Sequence, residues 1–206
     1  MKLKHYIAFL TAILCGMSFS ITATAYEIWS RGLHSIPSDV CISSGTTTNQ
    51  RNRIKDAMET WNDSCFGFEC LAYDSTIAME EYEIKDGINC VTKLYYSDPY
   101  NNAMTYIVDI LYPAFGDLWY AREFDINFNS NNHTWYAGTS TCPSDEYDIE
   151  SIALHEFGHV LGLDHSPNEY YNNIREPMYE FTEKGDMHRD ITTDDYNGIR
   201  NIYYGQ

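Results

Sequence analysis

The sequence predicts a fold of the α+β class. Apolar residues with helical spacing occur over residues 50–62 and 192–204, and a third helix is expected over residues 148–162. Residues 66–128 instead hold runs of β-branched and aromatic residues between turn signals, which are typical of strands. Helical and strand-rich segments that occupy separate parts of one chain indicate an α+β domain.

The N-terminal segment is typical of a secretion signal. Two lysines precede an apolar stretch, residues 6–19, that is too short to favour a membrane span. Residues 23–25 read Ala-Thr-Ala, a small-x-small cleavage pattern, so the mature chain is expected to begin at Tyr26. An uncleaved anchor is the alternative. We therefore predict a signal peptide at residues 1–25, one domain over residues 26–206, and a secreted, extracellular protein.

The composition indicates a folded, acidic protein. Aromatic residues make up 15% of the chain, which is unlike a disordered segment. The formal net charge is −17, which disfavours nucleic acid and anionic membranes as partners. We expect a monomer without stable membrane association once the signal is removed.

Five cysteines remain after the predicted cleavage, so at least one thiol stays unpaired or pairs between chains. A secreted protein is expected to form disulfides, but the spacing leaves their connectivity open. The five are Cys41, Cys65, Cys70, Cys90 and Cys142.

The first helix and the strands follow from apolar spacing. Residues 50–62 place four apolar side chains on one helical face, with Thr48 or Asn49 as the expected N-cap. The four are Ile54, Ala57, Met58 and Trp61, and core packing is the expected role of the Trp. Strands are predicted at residues 68–73, 88–96, 104–112 and 118–128.

Residues 155–166 contain the pattern H-E-x-x-H-x-x-G-x-x-H. On a helix that Asp148 can cap, His155 and His159 lie one turn apart on one face, which suits two ligands of one metal ion. Gly162 can adopt the left-handed conformation that ends a helix, so His165 can supply a third nitrogen. Three imidazoles leave one position of a tetrahedral zinc open, as in catalytic sites. The alternative is an amphipathic helix whose histidines are merely polar or buried.

This stretch resembles the zinc signature of metzincin metallopeptidases, and Ser166 resembles the matrixin branch, the family of the matrix metalloproteinases. Pro177-Met178-Tyr179 resembles the Met-turn, which places Met178 beneath the zinc ligands. The closing residues 194–205 are similar to the end of a matrixin domain. The resemblance implies a twisted, mixed five-stranded sheet with three helices, and a sheet edge near residues 104–112 above the cleft.

The resemblance also implies a function. A zinc ion on His155, His159 and His165 would lower the pKa of a water to about 7, and Glu156 would act as general base in hydrolysing internal peptide bonds of a protein or peptide substrate. Residues 180–190 would form one wall of the pocket for the side chain after the scissile bond. A non-enzymatic secreted binding protein on the same scaffold is the alternative.

The chain departs from animal matrixins in three respects. Only His133 remains of the histidines that bind their structural zinc, so a second zinc is not expected. Calcium stays open because Asp is abundant, although no calcium-binding loop pattern is found. The propeptide motif with its zinc-capping cysteine is missing, which leaves an unpaired thiol such as Cys41, or residues 29–39, as candidates for blocking the cleft.

Two further features concern the C-terminal part of the domain. Asp164 either orients His165 through its carboxylate or is a solvent-exposed turn residue, and the two readings are equally supported. Thr192 is the expected N-cap of the last helix, with Asp195 completing a capping box and with Ile191 and Tyr196 spaced as a hydrophobic staple.

Overall fold

The computed structural model describes residues 26–65, 67–76, 86–94, 101–112, 118–131 and 133–205, with the backbone alone for residues 109–112 and 118. The predicted signal peptide and residues 95–96 of a predicted strand lie outside these ranges.

Three helices and nine strands are found in the described residues. The helices are α1 (Thr48–Ser64), α2 (Ile149–Val160) and α3 (Thr193–Tyr204). The strands of the main sheet are β1 (Ser38–Ile42), β2 (Leu71–Tyr73), β3 (Asn89–Leu94), β4 (Ala103–Tyr112) and β5 (Leu118–Asn129). Two small two-stranded pairs are formed by β6 (Trp135–Tyr136) with β7 (Tyr147–Asp148) and by β8 (Tyr170–Tyr171) with β9 (Ile174–Arg175).

The main sheet has the order β2-β1-β3-β5-β4. All neighbours are parallel except β4, which runs antiparallel to β5 at one edge of the sheet. The prediction of an α+β fold with a mixed five-stranded sheet and three helices is therefore confirmed. Strand β1 was not predicted, because its five residues begin with polar Ser38 and Asp39 and offer too short an apolar run.

The core lies between the sheet and helices α1 and α2. Phe124, Ile126 and Phe128 of β5 are completely buried, and the apolar side chains predicted on α1 are at most 2% exposed. The indole N–H of Trp61 donates a hydrogen bond of 2.8 Å to the Leu154 carbonyl and so ties α1 to α2. Burial of these side chains stabilises the site because it fixes α2 against the sheet.

The N-cap predicted for α1 was wrong by one residue. Thr47 caps the helix, rather than Thr48 or Asn49. Its side chain accepts the Gln50 amide while the Gln50 side chain accepts the Thr47 amide, a capping box. Thr47 is the cap because the third helical residue counted from it is Gln50, whose side chain is long enough to reach back to the Thr47 amide.

Two disulfides join four of the five cysteines that lie in the described residues. Cys41 pairs with Cys90 across β1 and β3, where the two residues are in register, and Cys65 pairs with Cys70. Cys142 is a buried free thiol. The expectation that Cys41 could be the unpaired thiol was therefore wrong.

Helix α2 begins at a buried ion pair. Asp148 caps it, as predicted, by accepting the Ser151 amide, and the guanidinium of Arg189 bonds both carboxylate oxygens of Asp148. The same guanidinium also lies 3.0 Å from a carboxylate oxygen of Glu150. These contacts hold the chain just beyond residues 180–188 against the start of the helix.

Helix α3 begins in a cluster of buried carboxyl groups. Thr192 and Asp195 form the predicted capping box, and the Thr192 hydroxyl also contacts Glu176 at 2.9 Å. Burial, and next the neighbouring carboxylate of Asp195, raises the pKa of Glu176 to about 8, and burial raises the pKa of Asp195 to about 6.

No helix in the described part of the chain is long and apolar enough to cross a membrane.

Replacing Glu176 by Gln should stabilise the fold at alkaline pH. Folded Glu176 keeps its proton until about pH 8, whereas an unfolded Glu loses it near 4.5, so the free energy of unfolding falls as pH rises through this window. Glu176→Gln keeps an acceptor for Thr192 and removes the titration, so it should raise the free energy of unfolding by about 1–3 kcal/mol at pH 8.5. Urea denaturation from pH 4.5 to 9 measures the free energy of unfolding, with Glu59→Gln at an exposed position as the control. If the free energy of unfolding changes with pH equally in both variants, the prediction is contradicted.

Candidate metal centre

Helix α2 brings the first two motif histidines together. One helical turn separates His155 from His159, and their Nε2 atoms lie 3.1 Å apart. Both side chains are partly exposed towards a cleft, whereas Phe157 on the opposite face of the helix is completely buried. The helix therefore presents two imidazole nitrogens at one point of the cleft floor.

Backbone carbonyls orient both rings. Nδ1 of His155 lies 2.8 Å from the Pro177 carbonyl oxygen, and Nδ1 of His159 lies 2.9 Å from that of Leu163. Because a carbonyl can only accept, each Nδ1 carries the hydrogen and each Nε2 keeps a free lone pair. Burial lowers the pKa of both imidazoles to about 4, so both are neutral at physiological pH.

The end of α2 turns the chain so that His165 returns to the same point. Gly162 has φ +104°, and its amide and that of Leu163 bond back to the carbonyls of His159 and Gly158. A Cβ at Gly162 would also lie 2.9 Å from the Gly32 amide nitrogen, so both conformation and space require glycine. The prediction for Gly162 is in agreement with this geometry.

The three histidines fit one zinc ion. His155, His159 and His165 each offer a nitrogen, and all three nitrogens lie within 4.8 Å of one another. Zn–N bonds of about 2.0–2.1 Å at tetrahedral angles separate two ligand nitrogens by roughly 3.3 Å, close to the observed 3.1 Å. The donor set is also neutral and deprotonated at Nε2 of the first two rings, as metal binding requires.

Glu156 lies beside the histidines and faces strand β4. Its side chain is 6% exposed, and burial raises the pKa of its carboxyl group. The hydroxyl of Thr105 on β4 donates a short hydrogen bond to its Oε2. Sequence reasoning missed Thr105, because nothing local marks which residue of an edge strand faces an acid on a helix fifty residues away.

The predicted Met-turn lies beneath this group. The Tyr179 amide bonds the Glu176 carbonyl at 3.1 Å, which closes a tight turn around buried Met178. A Cβ at Gly158 would lie only 2.2 Å from the Met178 sulfur, so the turn packs directly on α2 where the motif has glycine. The Ser166 amide bonds the Met178 carbonyl at 2.7 Å and ties this turn to the segment after His165.

A cleft of about 760 Å³ opens above these residues. Residues 103–107 of β4 form one rim, and the motif histidines with Glu156 form the floor. Residues 180–182 line the cleft on one side, which agrees with the wall expected from residues 180–190, and Trp29 lines it elsewhere. Of residues 29–39, considered as a blocking segment, Trp29 lines the cleft, whereas residues 38–39 already belong to β1.

Other residues considered from the sequence have different surroundings. Both ring nitrogens of His133 are taken, by the Asn131 carbonyl at 2.6 Å and by the Asn102 side chain at 3.0 Å. In the described residues, the three motif histidines are the only group of three or more potential metal ligands. Asp164 accepts the backbone amide of His165 at 2.8 Å and so braces the main chain at His165.

Comparison with known proteins agrees with the fold. The sequence model of the Matrixin family matches residues 42–204. The chain is 39% identical to matrix metalloproteinase-9 of Canis lupus familiaris over 82 residues, which cover 35% of this chain and 11% of that protein. It is 43% identical to metalloendoproteinase 2-MMP of Arabidopsis thaliana over 56 residues, covering 27% and 14%, respectively.

A third relative is the 72 kDa type IV collagenase of Gallus gallus, 32% identical over 78 residues, which cover 34% of this chain and 11% of that protein. These alignments thus span only a small part of each relative's length. The family model, in contrast, spans most of this chain and includes the histidine motif, the Met-turn and α3. The chain therefore belongs to the matrixin family of metalloproteases.

Proposed function

We propose that this protein is a secreted zinc-dependent endopeptidase that hydrolyses internal peptide bonds of protein substrates. The observation that carries the proposal is the convergence of His155, His159 and His165 next to Glu156, in a cleft bordered by a sheet edge. Family membership supports a zinc metallopeptidase in general, and the residue roles are our own assignment.

The three histidines are the proposed zinc ligands. Zinc bound there would supply Lewis-acid chemistry, lowering the pKa of a water and polarising the scissile carbonyl. Met178 shapes the floor without touching the substrate. Its packing against Gly158 and the bond from His155 to the Pro177 carbonyl keep the floor rigid.

Glu156 is the proposed general base. It lies next to the ligands, and its buried carboxylate can accept the proton of the attacking water and deliver it to the leaving amine. The Thr105 hydroxyl fixes the carboxylate between the helix and β4. The substrate backbone would add to the edge of β4 as a further strand, which places the scissile bond above Glu156.

Secretion, the domain limits and the single-chain state complete the proposal. A signal peptide at residues 1–25, followed by one catalytic domain over residues 26–206, accords with two disulfides in the fold. We propose a monomer that binds neither nucleic acid nor membranes. The rival function, a binding protein without activity, is disfavoured because a pseudoenzyme has no use for an intact Glu156.

Calcium is the second cation that we propose, with Glu123 and Asp125 on β5 as two of the roughly six to eight oxygen ligands that calcium takes. Asp125 is 1% exposed, and neither of its carboxylate oxygens has a partner with full hydrogen-bond geometry in the described part of the chain, although the Cys90 amide is close enough to lower its pKa. Oε1 of buried Glu123 also lacks one. Burial raises the pKa of Asp125 to about 7, and a bound cation would offset this unfavourable burial of charge.

Replacing Glu156 by Ala should remove activity and leave zinc in place. The carboxylate handles the proton without binding the metal, so kcat on casein should fall by about 10²- to 10⁴-fold while zinc content stays near one per chain. Casein cleavage with and without a zinc chelator, together with metal analysis, measures this. Undiminished cleavage by the variant would remove the general-base assignment, and chelator-insensitive cleavage would remove the zinc mechanism.

Replacing Thr105 should test how Glu156 is held. Thr105→Val deletes the hydrogen bond to the carboxylate, so kcat should fall by about tenfold with little change in KM, whereas Thr105→Ser should retain most activity. Thr60→Val on α1, which removes a hydroxyl far from the cleft, is the control. Equal losses in the Val and Ser variants would point to packing instead of the hydrogen bond.

Adding calcium should stabilise the folded protein through Asp125. At a calcium concentration of about one hundred times Kd, the midpoint of thermal unfolding should rise by about 5–10 °C. Asp125→Asn should lose this rise, and exposed Asp63→Asn should keep it. If added calcium leaves the midpoint of thermal unfolding of the wild-type protein unchanged, the proposed calcium site is refuted.

A further inference from the structure

We propose that Trp29 and Asp164 form a subsite for an arginine or lysine side chain of the substrate, on the side before the scissile bond. This inference deepens the proposed endopeptidase function and rests on it. It concerns residues outside the histidine motif, and it names a substrate chemistry that the motif leaves open.

The position of Trp29 along the cleft is set by α2. Ile152 and His159 both line the cleft, and seven residues of helix separate them by about 10 Å. The chain that follows the wall segment 180–182 is bonded to the start of α2, by the Gly185 amide to the Glu146 carbonyl at 2.9 Å and by the His188 amide to the Ser151 hydroxyl at 2.8 Å. Trp29 instead bonds the His159 carbonyl, near the last turn of the helix. Trp29 and the wall that receives the side chain after the scissile bond therefore lie towards opposite ends of the helix.

The indole of Trp29 is fixed without being covered. Its Nε1 donates to the His159 carbonyl at 3.1 Å, and its backbone amide donates to the Gly162 carbonyl at 3.2 Å. Ile28 forms an antiparallel bridge with Leu163 on the same segment. Yet the side chain is 38% exposed, which is high for a tryptophan whose polar atom is already bonded. Because the ring is already immobilised, a ligand that stacks on it costs little further loss of side-chain entropy.

The neighbouring charge favours a cationic side chain. Asp164 lines the same cleft and is joined to the Trp29 segment by the bond of 2.9 Å from its amide to the Glu27 carbonyl. Its Oδ1 accepts one amide, and a carboxylate has capacity for more donors. None of the described residues that line the cleft is Lys or Arg, and Arg31, two residues after Trp29, does not line it.

Arginine suits this pair of groups best. A guanidinium can lie flat on an indole and donate to a carboxylate at its edge, and a lysine ammonium can make the same contacts less specifically. A neutral side chain of equal shape would keep only the apolar part of the contact. An acidic side chain would meet Asp164, Glu156 and Glu180 of the cleft. The formal net charge of −17 adds long-range attraction for basic substrates.

The test compares quenched fluorescent peptides that differ at one position before the scissile bond, carrying arginine or citrulline, its neutral isostere. At the best position, wild-type kcat/KM should be about 5- to 30-fold higher for arginine. Trp29→Ala and Asp164→Asn should each bring this ratio close to one, and Trp29→Phe should keep about half of the preference. Exposed Trp119→Ala, away from the cleft, is the matched control.

Trp29 bonds the backbone of His159, a proposed zinc ligand, so its replacement could disturb the zinc site itself. The zinc content of each variant is therefore measured, to separate loss of a substrate subsite from loss of a structural contact. Variants that keep zinc and lose kcat/KM equally for both peptides would overturn the proposal, as would a wild-type ratio of one at every position. Binding of the same peptides to zinc-loaded Glu156→Ala by calorimetry gives a readout without turnover. If the Glu156→Ala variant binds the arginine peptide more tightly than the citrulline peptide but the wild type cleaves neither, the subsite is supported and the endopeptidase function is refuted. If the variant binds both peptides equally, the subsite alone is overturned.

Discussion

The structure depends most on the two hydrogen bonds from the imidazole Nδ1 atoms of His155 and His159 to backbone carbonyls. They decide which nitrogen of each ring has a free lone pair, and they aim both lone pairs at one point. Without them each ring could rotate or change tautomer, and the spacing of the motif would no longer define a metal site.

Two separate parts of the fold supply those carbonyls. The Pro177 carbonyl is held by the tight turn around Met178, which packs on Gly158, and the Leu163 carbonyl is held by the left-handed turn at Gly162. Each part is braced in turn: Ser166 bonds the first, and the N-terminal segment at Ile28 pairs with the second. The segment that carries the proposed substrate-binding indole is therefore the same one that steadies the end of α2, the helix of the proposed zinc ligands.

The sequence predicted the features that depend on local spacing. The motif, the turn at Gly162, the capping box at Thr192 and the buried face of α1 follow from contacts within a few residues, and the structure agrees with them. The predicted N-cap of α1 was wrong by one residue. Thr47, Thr48 and Asn49 are all good capping residues, and only the reciprocal bond with Gln50 decides which of them is the cap.

What the sequence could not predict depends on tertiary pairing. Strand β1 is too polar and short to be recognised without its neighbours, and the Cys41–Cys90 bond follows from the register of β1 and β3. Thr105 faces Glu156 only because the edge strand passes over α2. Likewise, Trp29 is 130 residues from His159 in sequence, and no local pattern joins them.

X-ray absorption spectroscopy at the zinc edge of the purified, zinc-loaded protein tests whether His155, His159 and His165 together bind one zinc ion. We expect one zinc per chain with three imidazole nitrogens at about 2.0–2.1 Å and one further light ligand such as a water oxygen. The His165→Ala variant should lose one imidazole from this set. A shell with fewer than three imidazoles, a sulfur ligand from Cys142, or a protein that retains no zinc would contradict it.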